Sequence, residues 1–174
     1  MTDYENYDWS TFTLTFYYNA HITRVFRTWT TAAGLESFFI ERCVFSDQRG
    51  DGRNITDSAK VGDNYLWQFR QAFDVEGQVT DVKDKKSFSF SFGHMQVDLA
   101  FKVVNDQTEV HLVQSQIPNT PEGQVMGHLN CRSCWIFFMT NLSSVLEHST
   151  DLRDQNPEVV SSMEVGFRPL SQRS

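Results

Sequence analysis

From Tyr65 to Gln116 the chain alternates apolar and polar residues with a period of two, interrupted only by short turns. This pattern limits the fold more than any other feature. A period of two puts successive side chains on opposite faces of a strand, and turns of two residues can join only antiparallel neighbours. Tyr65, Trp67 and Phe69 share a face, followed after a bend near Asp74 by Val75, Gly77 and Val79. Phe88, Phe90 and Phe92 alternate with Ser87, Ser89 and Ser91, and Val97, Leu99, Phe101 and Val103 alternate with Gln96, Asp98, Ala100 and Lys102. Val110 and Leu112 continue the series, with Gln114 and Gln116 on the same parity. Turns at Asp84-Lys85, Gly93-His94 and Asn105-Asp106 then predict an antiparallel meander.

Upstream, residues 11–18 alternate in the same way and predict a first strand, with Phe12, Leu14, Phe16 and Tyr18 inward. Asn19 is the expected N-cap of a short helix whose stripe is Ile22, Val25, Phe26 and Trp29. A second short helix is expected over residues 31–38, and a strand over 39–46. Residues 47–63 are rich in Asp, Gly, Asn and Ser and read as a long loop, a candidate gate together with Gly123 and Gly127. Downstream, Pro118 ends the last strand and Thr120-Pro121 reads as an N-cap and N1 pair. From His128 to Leu152 the period is helical, with Trp135, Phe138, Met139, Leu142, Val145 and Leu146 as the stripe. A helix of about 25 residues is roughly 37 Å long, and its natural place is across the concave face of the sheet. The predicted fold class is therefore α+β: a curved antiparallel sheet of about seven strands around a long C-terminal helix, with two short helices after the first strand. Residues 1–9 form an N-terminal segment, 10–153 one domain, and 154–174 a tail.

A length of 174 residues fits that single domain. Fifteen Phe residues supply much ring volume for one core. A net charge of −7 and a pI near 5.1 exclude the basic footprint of a nucleic-acid binder and disfavour anionic membranes. No apolar run is long enough to span a bilayer, so no membrane insertion is expected. The polar, acidic start is unlike a secretory leader. Three cysteines are too few for a disulfide scaffold, and a cytoplasmic location is expected. The tripeptide Arg49-Gly50-Asp51 and the sequons at Asn54 and Asn141 are read as chance.

Cys131-Arg132-Ser133-Cys134 has the C-x-x-C form. A redox pair needs a lowered thiol pKa and a βαβ setting, which the strand order does not provide. A zinc site needs four ligands, so the fold would have to bring up Cys43 and His128. The plainer reading is helix packing. His21, His94, His111, His128 and His148 form no H-E-x-x-H motif, and there is no G-x-S-x-G elbow. His111 is expected to face solvent, and His94 to sit in a hairpin near a cavity mouth. No lysine falls on an apolar strand face, which disfavours Schiff-base chemistry. Asp81 shares the parity of Val79; facing inward, it would be a buried carboxyl able to act as acid or base. No metal and no cofactor is expected.

Several segments carry a resemblance. They are Asn19 to Phe39 with Val25-Phe26 and Trp29-Thr30, then Gly62 to Trp67, Gly77-Gln78-Val79, Thr108 to Leu112, and Trp135 through Leu142, Leu146-Glu147 and Asp151-Leu152-Arg153. In this order they resemble signature segments of the START-like (SRPBCC, helix-grip) superfamily, in the branch named after the C-terminal domain of the activator of the Hsp90 ATPase. The resemblance implies a cavity between sheet and long helix, in which many members hold lipids, polyketides or other apolar molecules. Some members are cyclases or hydrolytic enzymes. Only nine residues precede the predicted domain, so the activators' separate N-terminal chaperone-binding module is not expected. The expected function is binding of a small apolar or amphipathic ligand (lipid, polyketide or aromatic type), more in keeping with a binding module than an enzyme. The expected contact set is Tyr65, Trp67, Phe69, Phe88, Phe90, His94, Gln114, Trp135, Phe138 and Met139, within which Tyr65, Trp67 and Gln114 supply polar atoms. Alternatives are a cyclase- or hydrolase-type enzyme using Asp81, His94 or Tyr65, and a chaperone-linked interaction domain. A homodimer is a possible assembly.

Overall fold

The computed structural model describes residues 6–69, 73–156 and 158. Its strands are β1 (Phe12–Tyr18), β2 (Arg42–Ser46), β3 (Asn64–Phe69), β4 (Phe73–Lys83), β5 (Ser87–Phe92), β6 (Met95–Val104) and β7 (Gln107–Ser115). Helices α1 (Ile22–Thr30) and α2 (Ala32–Phe38) follow β1, and a π-helical segment, Gly123–Asn130, runs into α3 (Cys131–His148). The strands form one seven-stranded antiparallel sheet in the order β1-β7-β6-β5-β4-β3-β2. This is the predicted helix-grip architecture. The β6–β7 turn places both Asn105 and Asp106 at positive φ, as a tight hairpin in a right-twisted sheet requires.

The period-two rings reach the concave face as expected. Trp67, Phe88, Phe90, Leu99 and Leu112 are buried there beneath Trp135, Phe138, Met139, Leu142 and Leu146 of α3. Gly77 lies opposite Tyr65 in register, and a Cβ at that position would run into the tyrosine ring. The glycine of the Gly77-Gln78-Val79 segment is thus the seat of a ring.

The structure corrects several element boundaries. His21, not Asn19, caps α1: its side chain accepts from the Thr23 N–H at 3.3 Å. Asn19 instead donates to Glu147 near the end of α3, at 3.1 Å. Strand β2 begins at Arg42, because Phe39 closes α2. The long helical path begins before His128: Thr120 caps it by accepting from Gly123 N–H at 3.0 Å, and the chain then enters the π-helical segment. There Gly127 packs so closely on Ile117 that a Cβ would lie 2.8 Å from Ile117 Cγ2. The helix ends at His148, not Leu152, because Ser149 turns left-handed at φ 56°.

Beyond the cap the chain folds back. The Asn141 amide donates to Phe38 O at 2.7 Å and to Asp151 Oδ1 at 2.9 Å, while its oxygen accepts from Leu152 N–H at 2.7 Å. Arg153 donates to Ile40 O and Glu36 O, both at 2.7 Å, and pairs with Asp151. The tail expected over 154–174 lies outside the described residues, apart from 154–156 and 158.

The 47–63 loop is anchored along its length. Asp63 is buried, pairs with Arg53 and accepts from Lys60 N–H at 2.8 Å. Ala59 N–H donates to Thr30 O at 2.7 Å, and Ala33 N–H to Ile55 O at 2.9 Å.

Candidate ligand-binding site

Rings from four elements meet at one end of α3. Phe39, at the close of α2, stacks on Trp135 with centroids 5.1 Å apart and meets Phe138 edge-on at 4.8 Å. Phe69 and Phe73, paired across β3 and β4, stack at 4.6 Å, and Phe69 meets Phe39 edge-on at 5.4 Å. Phe92, at the end of β5, leans toward Trp135 at 6.1 Å. These rings leave a pocket of about 170 Å³, completed by Met126, Asn130, Cys131 and Cys134 from the π-helical segment and α3. It is partly open, with a mainly apolar wall.

The predicted contact residues divide into two groups. Phe69, Trp135 and Phe138 line this pocket. Tyr65, Trp67, Phe88, Phe90, Gln114 and Met139 do not line it; they are at most 2 % exposed and belong to the packed core beside it. Tyr65 stacks on Trp67 at 4.0 Å and donates its hydroxyl to Ser91 O, and burial raises its pKa. Gln114 ties β7 to the helix, accepting from Trp135 Nε1–H at 2.8 Å and donating to Gly127 O at 3.1 Å. Its hydrogen-bonding capacity is therefore used by the protein itself. Among the described residues Trp67 Nε1–H makes no well-formed hydrogen bond, and its polar neighbour is the thiol of Cys43, its register partner on β2. His94 is exposed in the β5–β6 turn and does not line the pocket.

The acid–base candidates are corrected as well. A bulge between Val79 and Asp81 shifts the register, so that Val82 pairs with Phe88 while Asp81 pairs with Ser89. One inserted residue reverses the facing of all that follow it. Asp81 accepts from Ser87 and pairs with Lys83 at 3.4 Å; the Ser87 bond is the chief cause that holds its carboxyl below the usual range. It is not an inward acid. Neither the 47–63 loop nor Gly123 and Gly127 line the pocket, so the gates expected there are not placed at it.

His128 is buried against Phe12 of β1, at the opposite edge of the sheet from β2 and its Cys43. Its Nδ1 lies 3.0 Å from Trp9 O, which can only accept, so in the neutral ring Nδ1–H donates there and Nε2 accepts a hydrogen bond from the Tyr7 hydroxyl at 2.8 Å. Tyr7, Trp9 and Phe12 surround it edge-on. No group of three or more His, Cys, Asp or Glu placed to hold a metal ion occurs among the described residues. Burial raises the Cys131 thiol, outweighing its contact with Gln114, the reverse of what a redox pair requires.

The expected contact set lacks Phe39, Phe73, Phe92, Met126, Asn130, Cys131 and Cys134, all of which line the pocket. Phe39 was assigned to a strand, and Met126 and Asn130 lie in a π-helical turn that a 3.6-residue stripe does not describe. The one signal for the π-helical pair is that apolar residues flank His128 on both sides, at Val125, Met126 and Leu129.

No helix among the described residues is long and apolar enough to cross a membrane. The fold is shared with solved structures of low sequence identity. A protein from Staphylococcus saprophyticus is 13 % identical with a TM-score of 0.66, covering 82 % of this chain and 96 % of its own. The Aha1 dimer from Colwellia psychrerythraea is 18 % identical with a TM-score of 0.63, covering 80 % and 98 %. DynU16, a putative protein in the dynemicin biosynthetic locus, is 16 % identical with a TM-score of 0.64, and 83 % of this chain matches 50 % of it. No curated protein gives a significant match. The family model for activator of Hsp90 ATPase homolog 1-like proteins matches residues 19–147. With the helix-grip sheet, the terminal helix and this match in agreement, the chain belongs to the activator of Hsp90 ATPase homolog 1-like family.

Proposed function

We propose that this protein is a binding module for one small apolar or amphipathic molecule about the size of an aromatic ring. The ligand sits between α3 and the ends of β3 and β4. The observation that supports this is the ring-walled pocket of about 170 Å³. Apolar cavities of about 150 Å³ stay dry and accept benzene-sized guests, whereas drug-sized ligands need about 300–1,000 Å³. A whole sterol or a long acyl chain does not fit this volume. Binding is driven by desolvation, at about 0.8 kcal/mol per buried CH₂, and Asn130 at the wall gives an amphipathic ligand a polar contact. The lining described holds no carboxylate and no imidazole, which favours binding over acid–base catalysis.

Calorimetry with toluene, ethylbenzene and butylbenzene tests the reading. Affinity should rise with the first added carbon and fall once the chain outgrows the pocket. Met126 lines the pocket yet is 38 % exposed, so Met126→Trp should fill the mouth, leave the melting temperature nearly unchanged and weaken binding at least tenfold. Absence of binding across the series, or affinity indifferent to Met126→Trp, would count against the pocket.

A homodimer is a second reading. Val125, Met126, Leu129 and Ile136 are exposed along the π-helical segment and α3 beside the pocket, and the similar Colwellia protein is a dimer. Light scattering should show a dimer that Leu129→Glu splits; a monomer at high concentration would remove this reading.

A further inference from the structure

Cys131 and Cys134 are not accounted for by apolar binding alone. Neither is in a disulfide, they stand three residues apart on α3, and both line the ring-walled pocket. Residues three apart on a helix have Cβ atoms about 5–6 Å apart, whereas a disulfide needs about 3.5–4.5 Å. The helix therefore resists direct closure of the pair. A single soft atom bonded to both sulfurs spans the gap, since metal–thiolate bonds of about 2.3 Å reach from either side. A structural zinc site needs four ligands, and no third His, Cys, Asp or Glu joins these two among the described residues. Thiol sulfur selects soft centres. The Cys131 thiol donates to Met126 O at 3.2 Å. A ligand that displaces its proton on binding can still engage it, whereas a simple alkylating electrophile needs the thiolate already formed. The remaining walls are mainly phenyl and indole rings, with Met126 and Asn130, around roughly the volume of a benzene.

We propose that Cys131 and Cys134 form a dithiol site for a small aromatic compound carrying a soft thiophilic centre, of the class of aryl trivalent arsenicals. The aryl group seats against Phe69, Phe92, Trp135 and Phe138. The site rests on the pocket's acceptance of an apolar ring. Two arsenic–sulfur bonds form and the arsenic–oxygen bond breaks. The two thiol protons leave with that oxygen as one water, arsenic stays trivalent and neither sulfur is oxidised.

The test is titration of the full chain with phenylarsine oxide and with inorganic arsenite, read by intact mass and by counting the thiols left. One phenylarsenic per chain should form, with two thiols consumed and Cys43 spared, because it is buried in β2. Peptide mapping of the wild-type adduct should place the arsenic on Cys131 and Cys134, which needs no variant to fold. Cys131→Ser and Cys134→Ser should each weaken binding at least a hundredfold. Phenylarsine oxide should bind at least tenfold tighter than arsenite, and Met126→Trp should erase that margin. An adduct that persists in the double serine variant, maps to Cys43 or shows no preference for the aryl form overturns the proposal. Toluene binding without any arsenical adduct overturns the dithiol site alone, and an intact adduct without toluene binding overturns the apolar pocket of the preceding reading alone.

Discussion

Trp67 and Trp135 are both inward, both almost wholly buried, and differ in what their rings touch. Trp135 stacks on Phe39 and borders the pocket, whereas Trp67 is fully buried among Phe39, Tyr65 and Phe90 and does not line it. Trp67→Ala should therefore cost about 3–5 kcal/mol, the usual range for emptying an aromatic core site. Trp67→Phe keeps one ring in the stack and gives up an indole N–H that makes no well-formed hydrogen bond, so it should cost clearly less than the alanine variant. Urea unfolding of the two variants measures both, and equal losses would contradict this packing. Gln114→Leu should cost about 2–4 kcal/mol, since it leaves both the Trp135 N–H and Gly127 O without their bond, at about 1–3 kcal/mol per buried orphan; denaturant midpoints measure it. Alternation made the inward facing of these residues legible in the sequence. It could not separate a ring that fills the core from a ring that borders a void, because that depends on the rings arriving from other elements. Asp81 shows a second limit: the bulge that turns it outward is marked only by the switch of apolar parity from Val79 to Val82.

At the scale of elements, α3 is held at both ends by polar contacts. At its C-terminal end, Asn141 donates to the Phe38 carbonyl and Arg153 to those of Glu36 and Ile40, with Asp151 accepting from both side chains, and so they fix where α2 hands over to β2. Phe39 lies inside that handover, so the clasp also positions a wall of the pocket. Burial pushes the Asp151 carboxyl up, but hydrogen bonds from Arg153 and Asn141 outweigh it and hold it below its ordinary value. A lowered carboxyl pKa contributes stability that is fully present above the unfolded value of about 3.9 and is lost as pH falls through the folded value. Melting temperature should accordingly drop below about pH 4. Arg153→Ala should cost about 3 kcal/mol at neutral pH by breaking a largely buried pair, and its acid loss should be shallower than the wild type's. The helix itself was legible from its stripe. Its ends were not, because Ser149 supplies a left-handed cap without glycine and the entry is π-helical.

At the scale of the molecule, strand order and the concave placement of α3 follow from alternation, turn chemistry and one long stripe. Among the described residues, Phe88, Phe90, Val97, Leu99 and Leu112 of β5, β6 and β7 are fully packed, and the ring-walled pocket lies where the π-helical segment meets the ends of β3 and β4. Such a space is a product of the closed fold, so the strand pattern alone pointed to the core instead. The four indole N–H signals, from Trp9, Trp29, Trp67 and Trp135, report on these regions separately. The most direct measurement is a toluene titration followed by nitrogen–proton correlation NMR. Saturable movement of the Trp135 signal, with Trp29 and Trp67 unmoved, is the predicted result. Movement of Trp67 with Trp135 fixed, or no saturable change in either, would contradict a ligand pocket at this end of α3.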